Sequence, residues 1–162
     1  MNFQTYSDSD LQGLIEKSRT HPRLRAAKIF QEPSNSKYQT LFNAMQPESY
    51  LPPHAHYHPE VWMPIRGWFL LGTFDESGEI REVLSLTKKG TVYAEIPAHV
   101  YHTAISMDKD SVFMNVNPGP YDKDNSKISA PWAPQEDSAE TEDQWRNYFE
   151  DMQNRIIRIY CN

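Results

Sequence analysis

His54-Ala55-His56-Tyr57-His58-Pro59-Glu60-Val61-Trp62-Met63-Pro64-Ile65-Arg66-Gly67 brings three imidazoles and a carboxylate together within seven residues. His54 and His56 are two apart, so on an extended strand both rings project from the same face. Pro59 bends the chain just after them, which lets Glu60 return toward the same point. Imidazole and carboxylate together suit a first-row divalent metal, whereas calcium takes oxygen ligands alone.

A fourth donor has to come from elsewhere, and Pro97-Ala98-His99-Val100-Tyr101-His102 supplies a histidine on a later strand. The first stretch reads HxHxxxExxxxxxG and the second PxHxxH. Together they resemble the two sequence motifs of the cupin superfamily, and the interval from Gly67 to Gly90 fits the variable region between those motifs. The resemblance implies one divalent transition metal (Zn, Fe, Mn, Ni, Co or Cu) held by His54, His56, Glu60 and His102. The chain departs from the family pattern at three places, none of them a ligand. Glu48 replaces the glycine that opens the first motif, Ser106 replaces the closing asparagine of the second, and His99 stands at a tight turn where glycine is usual. Histidine tolerates a left-handed backbone better than most side chains, so the turn survives.

A narrower likeness runs from about residue 8 to 136. His21-Pro22-Arg23-Leu24-Arg25, Gln46 to His56, and Gly119-Pro120-Tyr121-Asp122 with Ala130-Pro131-Trp132-Ala133-Pro134 look like the WbuC-type cupin metalloproteins. That family occurs in gene clusters for bacterial surface polysaccharide. The likeness therefore implies a sugar or nucleotide-sugar as ligand.

Outward from the motifs, the chain reads as strand after strand between Tyr50 and Val116. Turns are marked by Asp75-Glu76-Ser77-Gly78 and Lys88-Lys89-Gly90. Leu24 to Ile29 and Tyr38 to Met45 add two more strands. Ser7 to Asp10 offer N-caps for a short helix that ends before His21-Pro22, because the residue preceding proline is pushed out of the α region. The fold class expected is all-β: a cupin double-stranded β-helix, or jelly-roll barrel, over residues 1–136. Residues 137–162 form a separate amphipathic element. Thr141-Glu142-Asp143-Gln144 reads as its capping box, and Trp145, Tyr148, Phe149, Met152 and Ile156 as its apolar stripe. That stripe is expected to pack as a helix on the barrel or on a partner, and a homodimer is expected.

The net charge is −6 and the basic residues are scattered. This disfavours nucleic acid and anionic membrane, which need a basic footprint. Cys161 is the only cysteine, so no internal disulfide forms. No leader-like opening and no bilayer-length apolar run is visible, and a cytoplasmic protein is expected.

Beyond the four ligands, His99 is the candidate catalytic residue, a proton carrier at the mouth of the site. Arg25, Asn43 and Trp62 are candidates for binding a small-molecule substrate, Arg25 through the planar fork of its guanidinium. His58 is a rim candidate. The expected function is a metal-dependent enzyme, an isomerase, epimerase or oxygenase, acting on a small polar molecule. The rival is a non-catalytic module that binds a saccharide or small acid with the metal as anchor.

Overall fold

The computed structural model describes residues 3–32, 35–122, 126–136 and 142–162, the last without the side chains of 142–145. Helix α1 (Asp8–Thr20) opens with a capping box, in which Ser7 and Asp10 bond each other's backbone N–H groups. It stops at His21, which is extended ahead of Pro22. The strands follow as β1 (Arg25–Ile29), β2 (Tyr38–Met45), β3 (His54–Ala55), β4 (Glu60–Arg66) and β5 (Trp68–Phe74). Then come β6 (Ile80–Thr87), β7 (Ala94–Ile96), β8 (Tyr101–Ser106), β9 (Ser111–Pro118) and β10 (Ile128–Ser129), and α2 (Glu142–Cys161) closes the chain.

The strands form two five-stranded antiparallel sheets in the orders β1-β2-β9-β4-β7 and β10-β3-β8-β5-β6. The apolar run from Val61 to Phe74 divides at Gly67, so β4 lies in the first sheet and β5 in the second. Gly67 has φ +78°, and a Cβ there would sit 2.1 Å from Ser111 Oγ. Only glycine makes this corner without strain.

Alternation along the strands separates the layers. Met45, Trp62, Phe69, Leu71, Ala104 and Phe113 meet between the sheets as the inner core. On the outer face of the first sheet, Leu14 and Ile15 of α1 cover Ala44 and Val112. On the outer face of the second, Phe149, Met152 and Ile156 of α2 cover Leu70, Phe74 and Ile105. The second sheet is thus buried on both faces, which explains why β5 reads WFLLGTF instead of alternating.

The barrel itself is therefore the partner of the C-terminal stripe. Phe149, Met152 and Ile156 pack onto it, and the stripe gives no separate ground for a homodimer. Thr141 of the expected capping box and the side chain of Trp145 lie outside the described residues. Of the two short strands β3 and β10, β10 was not expected from the local pattern. They pair with each other, Ser129 opposite His54, and so tie the segment after β9 to the first motif.

Candidate metal centre

His54 and His102 face each other across β3 and β8 in the second sheet, and Glu60 reaches in from β4 of the first. His56 follows β3 directly, with a bend at Tyr57-His58 before Glu60. One donor atom from each of these residues lies within 4.8 Å of all the others. The expected ligand set is therefore assembled in space, between the sheets, from two motifs.

Each ring is held by its other nitrogen. Nδ1 of His54 lies 2.9 Å from the Pro52 carbonyl, that of His56 2.5 Å from Ser126, and that of His102 2.9 Å from Val100. In a neutral ring that donates Nδ1–H to a carbonyl, Nε2 carries only a lone pair. His102 Nε2 is 2.7 Å from Glu60 Oε1, and His56 Nε2 is 3.5 Å from the same oxygen. Glu60 Oε1 and His102 Nε2 are nonetheless buried without a hydrogen bond. Two acceptors this close repel unless a proton or a cation stands between them. A single proton relieves one contact, whereas one cation satisfies all four donors. The residues therefore fit a divalent metal.

Protonation favours ligation as well. Burial, with the charges of His102 and His56, holds the His54 imidazole down to about 3, so it stays neutral. Burial pushes the Glu60 carboxyl up, but the neighbouring imidazoles, His102 foremost and then His56 and His54, bring it down to about 2. Glu60 thus remains ionised. Coordination needs neutral imidazole, so metal affinity falls as pH is lowered. A competition titration with a chromophoric chelator should show weaker binding at about pH 5 than at about pH 7. A flat profile would contradict it.

His54, His56 and Glu60 open onto a cavity of about 620 Å³. Asn43 and Trp62 line it. Trp62 is buried, stacks on Phe113 with centroids 4.1 Å apart, and meets the His102 ring edge-on. His58 is an exposed rim residue, and no ligand atom of the group comes from it. Arg25 is placed elsewhere. Its guanidinium donates to the Tyr50 carbonyl at 2.7 Å and pairs with Glu136 at 2.6 Å, away from the cavity walls.

His99 has φ +64° in the turn before β8, and its N–H donates to the His56 carbonyl. Its ring is exposed and packs edge-on against Tyr57, outside the lining of the cavity. What sequence reasoning missed is the first sheet's contribution of Gln39 and Asn117 to the wall. Their inward parity along β2 and β9 was the available signal.

A two-sheet jelly roll with two histidines and a glutamate from one motif and a histidine from a second, gathered between the sheets, defines a cupin. The chain belongs to the family described as a domain of unknown function, DUF6016, whose model matches residues 6–86. Solved structures of the same fold include a tryptophan-to-phenylalanine variant of Bacillus subtilis oxalate decarboxylase. It is 16 % identical, with a TM-score of 0.53 over 65 % of this chain and 28 % of that one. A second, from work on the Mn(II) centres of the same enzyme, is 16 % identical with a TM-score of 0.51 over 65 % of this chain. The present chain spans only 27 % of its length. Oxalate oxidase in complex with the substrate analogue glycolate is 19 % identical, with a TM-score of 0.49 over 62 % of this chain and 55 % of that one. No curated protein matches the sequence. None of the helices among the described residues is long and apolar enough to cross a membrane.

Proposed function

We propose that this chain is a mononuclear metal cupin, a metal-dependent enzyme that acts on a small, hydroxyl-bearing molecule of the sugar or nucleotide-sugar class. The observation that carries the reading is the convergence of three imidazole lone pairs and Glu60 Oε1 beside the 620 Å³ cavity. A metal bound there would act as a Lewis acid on a carbonyl or hydroxyl, or lower the pKa of a bound water. The Nδ1 bonds to Pro52, Ser126 and Val100 hold the rings in the tautomer that ligation needs.

The deep wall of the cavity supports a neutral, hydroxyl-bearing group such as a sugar ring better than a dianion such as oxalate. The diphosphate of a nucleotide-sugar would stay at the mouth, where Lys127 stands. Among the described lining residues no arginine appears, and Lys127 at the exposed mouth is the only lysine. Gln39, Asn43, Asn115 and Asn117 instead present amides, which both donate to and accept from hydroxyl groups. Tyr57 and Tyr121, both partly exposed at the mouth, offer faces for a ring. The WbuC-type likeness points to the same ligand class, and manganese, the metal of the oxalate decarboxylase centres, is one to load first.

The same wall keeps the rival in view, because its deep polar groups are amides that do not exchange protons. A saccharide-binding module anchored by the metal is therefore the second reading. Protein purified without affinity tag or added metal should carry close to one equivalent of a transition metal by elemental analysis. Loaded with that metal, it should convert one of a panel of activated sugars. Absence of metal overturns the site assignment, and saturable sugar binding without turnover selects the module.

A further inference from the structure

Glu60 uses its two carboxylate oxygens differently. Oε1 faces His102 and His56, while Oε2 accepts from Asn115 Nδ2 at 3.2 Å. With the Asn117 amide oriented to satisfy its neighbours, Asn117 Nδ2 donates to Oε2 at 2.9 Å and Asn117 Oδ1 accepts from Asn115 Nδ2 at 3.1 Å. Asn115 Oδ1 in turn accepts from Asn43 Nδ2 at 2.7 Å. Strand register makes this possible. Asn115 stands opposite Trp62 on β4 and Leu41 on β2, so Glu60 and Asn43 are its diagonal neighbours on either side.

The polarity of the chain of amides follows from one charge. An ionised carboxylate only accepts, so both neighbouring amides must turn their NH2 groups toward Oε2. Asn115 Oδ1 then points away from Glu60 and needs a donor of its own, which Asn43 provides. Asn115 is buried, so an amide turned the wrong way would leave acceptor against acceptor without water to help.

We propose that Asn115, Asn117 and Asn43 are positioning residues for Glu60, an amide relay that occupies Oε2 so that the carboxylate offers a metal Oε1 alone. The proposal rests on the metal reading above. Asn43, two steps from the ligands, has a part in the site that does not require it to touch substrate.

Co(II) is the probe, with affinity measured by chelator competition and the visible spectrum reporting the coordination sphere. Asn115→Ala should weaken Co(II) binding about 10–100-fold and alter the spectrum, since Oε2 is released. The decisive variant is Asn43→Asp. Added negative charge near a bound cation tightens binding by simple Coulomb attraction. In the relay, the carboxylate introduced by Asn43→Asp cannot donate to Asn115 Oδ1, so it draws the Asn115 NH2 away from Glu60 and binding weakens. Weaker Co(II) binding in Asn43→Asp, with the β-sheet circular dichroism of the chelator-stripped protein retained, supports the relay. Equal or tighter binding overturns it, and so does an Asn115→Ala protein that keeps wild-type affinity and spectrum. Should Asn115→Ala fail to fold, Asn43→Asp decides alone. If wild-type protein takes up no Co(II), the metal reading fails. The relay is then judged by side-chain amide NMR of the metal-free protein, in which Glu60→Ala must shift the Asn43 signals. Unshifted signals overturn it.

Discussion

His56→Ala protein, purified without added metal, is expected to carry less than a tenth of the wild-type metal while keeping its β-sheet circular dichroism and most of its thermal stability. The His56 side chain is 21 % exposed, so its loss empties little of the core. It removes one of the four donors and one of the two imidazoles that face Glu60 Oε1. His102→Ala should lose the metal just as completely but also melt lower. Its ring is 1 % exposed and lies against Glu60 and the edge of Trp62. Removing it leaves a void against Trp62 in the buried core, a cost of about 2–5 kcal/mol for a large-to-small substitution at such a position. Full metal occupancy in either variant would show that the ligand set is wrong. Metal content and melting in the presence of chelator must be measured together, because only the pair separates loss of a ligand from loss of fold.

Truncation after residue 136 is expected to yield insoluble or molten protein, whereas a helix serving only as a dimer interface would leave a soluble, metal-binding monomer. The reason lies in the outer face of the second sheet, where Leu70, Phe74 and Ile105 are covered by Phe149, Met152 and Ile156. Ile156 is fully buried, and the absence of a side chain at Gly72 makes room for it. A Cβ at Gly72 would come within 2.9 Å of Ile156 Cδ1. Ile156→Ala alone should cost about 2–5 kcal/mol, lowering Tm by roughly 4–20 °C in a chain of this size. The Arg155–Glu79 ion pair beside it is exposed, and its removal should change little. Unchanged melting in Ile156→Ala would refute the packing, whatever the truncated protein does.

The site and the rest of the fold differ in how much could be read in advance, and the difference follows chain distance. His54, His56 and Glu60 lie within one short stretch, so strand parity and a proline bend suffice to bring them together. His102 needed the second motif, which only the resemblance to the cupin pattern marks as a source of the fourth donor. The left-handed turn at His99 was legible too, but the direction of its ring was not. That depends on Tyr57, which arrives from the other motif. Arg25 looked available for a ligand because its partner Glu136 is 111 residues away. The amides of Asn115 and Asn117 carried no signal beyond inward parity, since their role depends on which strand lies beside β9.

From the sequence alone came the barrel class, the four donors, the capped N-terminal helix and the existence of an apolar C-terminal stripe. The helix, the stripe and the shared face of His54 and His56 are matters of period or spacing within a short segment, where backbone geometry permits few alternatives. The cupin class and the fourth donor came instead from the resemblance to the two cupin motifs. Tertiary structure decided what that stripe covers, which oxygen of Glu60 faces the imidazoles, and which polar residues hold the other. Those outcomes depend on the register of β2, β9 and β4 and on how the two sheets close over each other. Register between distant strands is chosen by the packing of the whole core, because a slip of one residue turns every inward side chain outward.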